Sequence, residues 1–313
     1  MDKGKAVVIV GPTAVGKTKI SIELAKKLSG EIISADSMQI YKHMDIGTAK
    51  PSLEEMQGIN HYMIDIAEPG EEFSVARYKD MALECIERVL SNKKVSIIVG
   101  GTGLYINSIV SNIEFSETIT DWNYRGQLQA RAESEGSEIL YKELKEVDEE
   151  AAKKIHPNDL RRIIRALEVY KYTGKPISYH QQISTRKPSE YNFIKIGLLM
   201  DREELYERIN QRVDSMIEKG LAEEVKKLLH RGINVNSTAM QGLGYKEMVD
   251  YCRGIKPLDE VVEIIKRDSR RYAKRQLTWF RRDKEIFWID VKLGEKDVLK
   301  NIFIFLEANG MFM

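Results

Sequence analysis

Cysteine is scarce in this sequence. Cys85 and Cys252 are the only two in 313 residues, and they stand far apart. That excludes a disulfide framework and a cysteine-based zinc site, and a reducing cytoplasm is the expected compartment. Long apolar runs are missing too. No stretch approaches the ~18–20 residues that a membrane-spanning helix needs, so no membrane partner is expected. The opening MDKGKAVVIVGPT has no apolar stretch ahead of a small-residue cleavage site. It reads as a core strand rather than a secretory signal. No internal repeat or low-complexity tract is evident. Net charge is only +1, which by itself neither demands nor forbids a polyanionic partner.

What is present is a globular composition, 42% hydrophobic and 31% charged, long enough to bury a core without staples. The charge is unevenly spread. Residues 133–150 hold eight acids and two bases. Residues 153–175 hold seven bases against Asp159 and Glu168, and residues 266–284 hold nine against Asp268 and Asp283. One such patch is ordinarily a solvated helix face. Two of them beside a phosphate-binding loop point to a polyanion on one face.

The first third alternates. AVVIV (6–10), EIISA (31–35) and VSIIVG (95–100) read as strands, with HYMIDI (61–66) as a further candidate. Helices follow, one starting at Ser74. Strands alternating with helices predict a mostly parallel α/β sheet. Residues 113–190 show helical periodicity and no strand. HPNDLRRIIRALEVYKYTGKP reads as a helix capped by Asn158 or Asp159 and closed by Gly174 and Pro176. FIKIGLLM (193–200) restores a strand. Helices near 202–218 and 220–230, a long basic helix ending near Trp279, and the apolar run 286–291 complete the chain. The predicted division is a core of 1–112 and 191–313 with a helical insertion domain of 113–190.

Residues 11–18, GPTAVGKT, match G-x-x-x-x-G-K-[ST] with a strand before and a helix after. Gly11 and Gly16 let the backbone curl so that the N–H groups from Gly11, Pro12, Thr13, Ala14, Val15 and Gly16 onward surround phosphate oxygens, proline alone lacking one. The helix adds its positive end. Lys17 offers a cation, and the Thr18 hydroxyl can hold Mg²⁺. The loop identifies a phosphate or diphosphate ligand, not a reaction. Asp36 directly follows a strand, at the sheet edge where ligands bind in open α/β folds. It can act as a general base or a metal-water ligand, and spacing does not separate the two; an Asx turn is the bland alternative. The strand 95–100 ends in GGTG, where many phosphoryl-transfer proteins carry a metal-organising acid. That missing acid counts against ATP hydrolysis, with Asp65 a weak substitute, and the glycines imply close approach of a ligand to the backbone.

GPTAVGKT, DSMQIYKHMDIGTAKP (36–51), GGTGLY (100–105), HPNDLRRIIRALEVY (156–170), RINQRV (208–213), GLGYKE (242–247) and KRQLTWFR (274–281) together resemble bacterial tRNA dimethylallyltransferases, in order and over most of the chain. The resemblance implies a P-loop NTPase-like core and transfer of a dimethylallyl group from its diphosphate to N6 of the adenine beside the anticodon. It implies a tRNA anticodon stem-loop as partner, Mg²⁺ as cofactor and a cytoplasmic monomer. It puts Thr13 in the diphosphate site, Asp36 as base and Arg212 on the leaving group, where spacing alone would make Arg212 a surface charge. Lys17 and Thr102 join the catalytic set. Ser37, Met38, Gln39, Thr102, Arg125, residues 161–165 (Arg161, Arg162, Ile163, Ile164, Arg165) and 241–246 (Gln241, Gly242, Leu243, Gly244, Tyr245, Lys246) fall at tRNA-contact positions. Trp279 and Phe280 read as core rather than stacking platforms. The Cys/His pattern of the zinc finger that nucleus-encoded eukaryotic relatives carry is missing, which implies the bacterial form. A small-molecule kinase of the same fold and an isopentenyltransferase acting on free adenylate remain alternatives.

Overall fold

A computed structural model describes residues 4–115, 120–184 and 188–311. The remaining positions of the expected core and insertion lie outside the described residues. The chain divides into two compact units, Met1–Val110 with Ser189–Met313, and Ser111–Pro188. The cuts fall two residues before those drawn from the sequence.

In the first unit, β1 (Lys5–Val10) leads through the glycine loop into α1 (Lys17–Leu28) and β2 (Gly30–Ala35). The short α2 (Leu53–Met56) and β3 (His61–Tyr62) follow, then α3 (Val75–Ser91), β4 (Val95–Gly100) and α4 (Gly103–Val110). Ser74 caps α3 by accepting from the Arg77 N–H. The strand expected at 61–66 stops after two residues. Met63 and Asp65 have φ of 64° and 55°, which a strand does not tolerate.

The second unit is helical: α5 (Trp122–Glu135), α6 (Ser137–Val147), α7 (Glu149–Lys154), α8 (Leu160–Thr173) and α9 (Ile177–Ser184). Asp159 caps α8, and Gly174 closes it at φ 66°. Its core is built on Leu128, Leu140, Leu144, Ile163, Ile164 and Leu167.

The first unit resumes with β5 (Asn192–Leu199), α10 (Arg202–Glu218), α11 (Leu221–His230), α12 (Tyr245–Cys252), the 23-residue α13 (Leu258–Phe280), β6 (Phe287–Asp290) and α14 (Glu295–Ala308). The sheet is six-stranded, in the order β3-β2-β4-β1-β5-β6, with every pairing parallel. Its central strands are buried on both faces, as parallel strands must be. Ala6, Val8 and Val10 of β1 enter one apolar layer, and Val7 and Ile9 the other. In register, Val10 and Ala35 both lie opposite Gly100. The loops that leave β1, β2 and β4 are therefore neighbours at the carboxyl edge of the sheet. Among the described residues no helix is long and apolar enough to cross a membrane.

One loop that passes this edge, residues 39–51, is held from beneath. The buried Glu224 carboxylate accepts from the N–H groups of Asp45 (2.9 Å), Ile46 (2.9 Å) and Gly47 (3.2 Å), and from the Tyr245 hydroxyl (2.6 Å). Lys50 donates to the Tyr41 carbonyl and to Asp45 and Asp65. Removing the Glu224 carboxylate orphans four donors. Glu224→Ala is expected to cost about 2–4 kcal/mol of unfolding free energy in urea titration, with an unchanged m value. A loss under about 0.5 kcal/mol would mean that other contacts set the loop.

Candidate active site

The glycine loop owes its shape to Gly16, at φ 98°, a conformation that costs a residue with a Cβ. Val15 turns its side chain into the core. Lys17 opens α1 and folds back, donating to the carbonyls of Gly11 (3.0 Å) and Pro12 (2.7 Å). The loop thus forms a concave set of amides with an ammonium inside. The Thr13 N–H is already engaged, donating to Oε1 of Gln276 on α13 at 2.9 Å.

Asp36 is the first residue past β2. Its Oδ1 accepts from the N–H groups of Met38 (2.9 Å) and Gln39 (3.4 Å). The Asx turn that spacing offered as the bland alternative is therefore present, and among the described residues no donor reaches Oδ2. Thr102 steadies the turn from the β4 side. Its Oγ1 accepts from the Ser37 N–H (3.0 Å) and donates to Ser37 Oγ (3.3 Å), while its own N–H donates to the Ala35 carbonyl (3.1 Å). Gln39 spends its amide inside the protein, accepting from Ser34 Oγ and donating to the carbonyls of Thr48 and Ala49. Arg212 reaches from α10 to the Thr48 carbonyl (3.4 Å).

Two cavities meet here. The smaller, about 310 Å³, is lined by Ala14, Gly16, Lys17, Thr18, Gln39, His61 and Gln276 among others. The larger, about 530 Å³, is lined by Ser37 and Met38, the stretch 241–246, apolar Ile209, Val213 and Ile265, and Arg271 and Arg275. Thr13, Asp36, Arg212 and Tyr272 line both. A phosphate cradle and a wider chamber with a basic rim thus share one wall, and that wall carries a carboxylate, a guanidinium and a phenol.

The IPP transferase family model matches residues 39–283. The chain belongs to the IPP transferase family. It is 57% identical to the tRNA dimethylallyltransferase of Acetivibrio thermocellus, over 98% of this chain and 99% of that protein. The full-length tRNA isopentenylpyrophosphate transferase of Bacillus halodurans superposes with a TM-score of 0.72 at 46% identity, over 98% of both chains. A eukaryotic dimethylallyltransferase captured acting on tRNA gives a TM-score of 0.76 at 31% identity, over 92% of this chain and 74% of that one.

Most residues expected at an IPP transferase site converge in the first unit: 11–18, Asp36 to Gln39, Thr102, Arg212 and 241–246. Others are buried or paired within the protein. Ile163 and Ile164 are core residues of the second unit, 0% and 6% exposed, because the apolar face of α8 turns inward. Their side chains are not available to a ligand. Arg161 and Arg162 are exposed, the latter paired with Asp159. Arg125 is held bidentately by the buried Glu168 (2.8 Å twice), which Arg165 also contacts. The Tyr245 hydroxyl is committed to Glu224. Asp65 pairs with Lys50. Gln276 approaches the β4 glycines closely, since a Cβ on Gly101 would lie 2.2 Å from its Nε2, and Gly100 and Gly101 also line the smaller cavity. Trp279 packs on Gly103, and Phe280 is buried, both in the apolar layer.

Sequence reasoning missed one face of α13. Asp268, Ser269, Arg271, Tyr272, Arg275 and Gln276 all line the cavities. The signal available was their helical spacing within the basic stretch. Bases there are also paired within the protein: Lys266 with Asp214, Arg267 and Arg271 with Asp268, and Arg270 with Asn210.

The site is electrostatically unbalanced. Burial, and next the Arg212 guanidinium, lower Lys17 from its ordinary range to about 7, while Asp36 opposes them. Burial also lowers Arg212, again against Asp36. For Mg²⁺, the smaller cavity presents the Thr18 hydroxyl and the Asp36 carboxylate. Among the described residues no group of three or more His, Cys, Asp or Glu could hold a metal. Sparse oxygen donors of this kind fit an ion that keeps most of its waters and is bound chiefly through ligand phosphates.

An anion in the cradle must raise the Lys17 pKa again. At pH 8 the unliganded lysine is mostly neutral, so pyrophosphate binding is expected to take up as much as about one proton more than in Lys17→Met; at pH 6, where Lys17 is already charged, the difference vanishes. Calorimetry in buffers of different ionisation enthalpy reads this directly. Equal uptake by both proteins at pH 8 would show that Lys17 is charged before the ligand arrives.

Proposed function

We propose that this protein transfers a dimethylallyl group from dimethylallyl diphosphate to N6 of the adenosine 3′-adjacent to the anticodon in tRNA, releasing diphosphate. It acts as a monomer in the cytoplasm. The observation that carries the reading is the shared wall. A cradle fit for diphosphate and a chamber with a basic rim open on the same carboxylate and guanidinium. The names of the relatives support the same substrates.

The adenine N6 lone pair forms a bond to C1 of the dimethylallyl group while the C1–O bond breaks, and that electron pair leaves with the diphosphate. Charge accumulates on the departing oxygens, where preorganised donors lower the barrier most. Lys17, Arg212 and the amides of the loop and of the first turn of α1 supply them. Thr18 would hold a Mg²⁺, which would supply further positive charge to the leaving diphosphate. The N6 amine is a weak nucleophile, and Asp36 takes its proton at Oδ2, the oxygen left open by the Asx turn. Thr102 holds the turn in place. The target base must leave its stack, which costs a few kcal/mol. Phosphate contacts from Lys246, Arg271 and Arg275 at the chamber, and from Arg161 and Arg162 on the insertion, offset that cost.

Incubation with labelled dimethylallyl diphosphate and either tRNA or AMP is expected to label tRNA. Label in AMP, or ADP released from ATP, would overturn the reading in favour of an adenylate prenyltransferase or a kinase. Asp36→Asn is expected to lower kcat by ~10²-fold or more with tRNA affinity retained; turnover within a few-fold of wild type would remove Asp36 as the base.

Arg161→Ala with Arg162→Ala is expected to weaken tRNA binding and flatten the plot of log K against log salt by about 1–2 units. Pyrophosphate affinity should not move. An unchanged slope would make this stretch an ordinary solvated helix face.

A further inference from the structure

Gln276 is 6% exposed and sits between two site loops that are far from it in sequence. Its Oε1 accepts from the Thr13 N–H and its Nε2 donates to the Gly101 carbonyl, both at 2.9 Å. The next residue, Thr102, bonds Ser37 at 3.0 Å, and Ser37 follows Asp36. Tyr272, one turn earlier on α13, lies beside both Thr102 and Gln276. A path of hydrogen bonds therefore joins the phosphate cradle to the loop that carries the carboxylate, with Gln276 linking α13 to Thr13. The same side chain fills the corner past β4, where a Cβ on Gly101 would collide with it. In nucleotide-hydrolysing proteins built on this loop, an acidic residue at the end of such a strand organises the metal. Here a neutral amide takes the place, and one loop N–H is withdrawn from ligand binding.

We propose that Gln276 is the positioning residue that sets the diphosphate cradle at reacting distance from Asp36, and that its neutrality keeps negative charge away from the diphosphate cavity beside the corner it fills. This rests on the transferase reading given above. Aligning two reactants to within a fraction of an ångström governs turnover more than affinity, and a misplacement of about 1 Å costs ~10²-fold. The two halves of the role separate by substitution. Gln276→Met removes both hydrogen bonds at similar volume. Gln276→Glu keeps the acceptor for the Thr13 N–H but brings a negative charge to the wall of the diphosphate cavity.

The test measures pyrophosphate binding by calorimetry and single-turnover prenyl transfer to tRNA at saturating donor, at a temperature well below each protein's melting point. Gln276→Met is expected to bind pyrophosphate within ~3-fold of wild type and to lose ~10–100-fold in single-turnover rate. Gln276→Glu is expected to lose at least ~10-fold in pyrophosphate affinity, yet to transfer faster than the Met variant once saturated. A residue that merely packs would lower the melting temperature and leave this split absent. The proposal falls if Met and Glu lose affinity and rate in the same proportion, or if Gln276→Met turns over like wild type. Failure of wild-type protein to label tRNA would sink the transferase reading instead, and the pyrophosphate measurements would still decide whether charge at this corner governs the cradle.

Discussion

Two cations face one carboxylate where the cavities meet, and much of the first unit is organised to keep them there. Burial lowers both Lys17 and Arg212, the Arg212 guanidinium lowers Lys17 further, and Asp36 opposes each shift. Like charges gathered where water is partly excluded are unfavourable without a counter-charge. An anionic ligand beside them relieves that imbalance. An apolar ligand would leave the imbalance standing, so a preference for an anion begins in the protein's own energetics rather than in shape alone.

The scaffold meets this demand with few elements. Parallel register brings the ends of β1, β2 and β4 side by side, so the cradle, Asp36 and Thr102 need no long excursions to meet. One face of α13 crosses both cavities and ties two of those loops together through Gln276. Glu224 fixes the third approach, the 45–47 turn, by satisfying its backbone donors with a single carboxylate. Each of these contacts joins a buried side chain to backbone, so each sets loop geometry directly.

The legible parts of the site are those whose physics is local. A phosphate cradle is eight contiguous residues with a strand before and a helix after, and the sequence showed it whole. Asp36 was readable because a strand end locates a residue at the ligand edge of a parallel sheet. The basic stretch 266–284 pointed to a polyanion, but which of its residues face the cavities was not readable, because the six that do are interspersed with bases that pair elsewhere. Arg125 looked available until its partner appeared 43 residues away at Glu168. Ile163 and Ile164 were carried along with the arginines of a contiguous stretch, although helical periodicity already turned them inward. The HYMIDI strand failed for a reason no propensity reveals: Met63 and Asp65 take positive φ.

The bonds that set the site also fix when in the life of the chain it can exist. Thr13 and Gln276 are 263 positions apart, Gly101 and Gln276 are 175 apart, and the Glu224 bonds to the 45–47 turn span 177 to 179. Closing such loops is entropically slow, and a chain made from its amino terminus has no α13 until most of it has been synthesised. A nascent chain that has completed β1 to β4 possesses the cradle sequence, Asp36 and Thr102 without the ties that hold them in register. The reactive arrangement is therefore a late product of folding, and a growing chain on the ribosome holds the parts of the site before it holds the site.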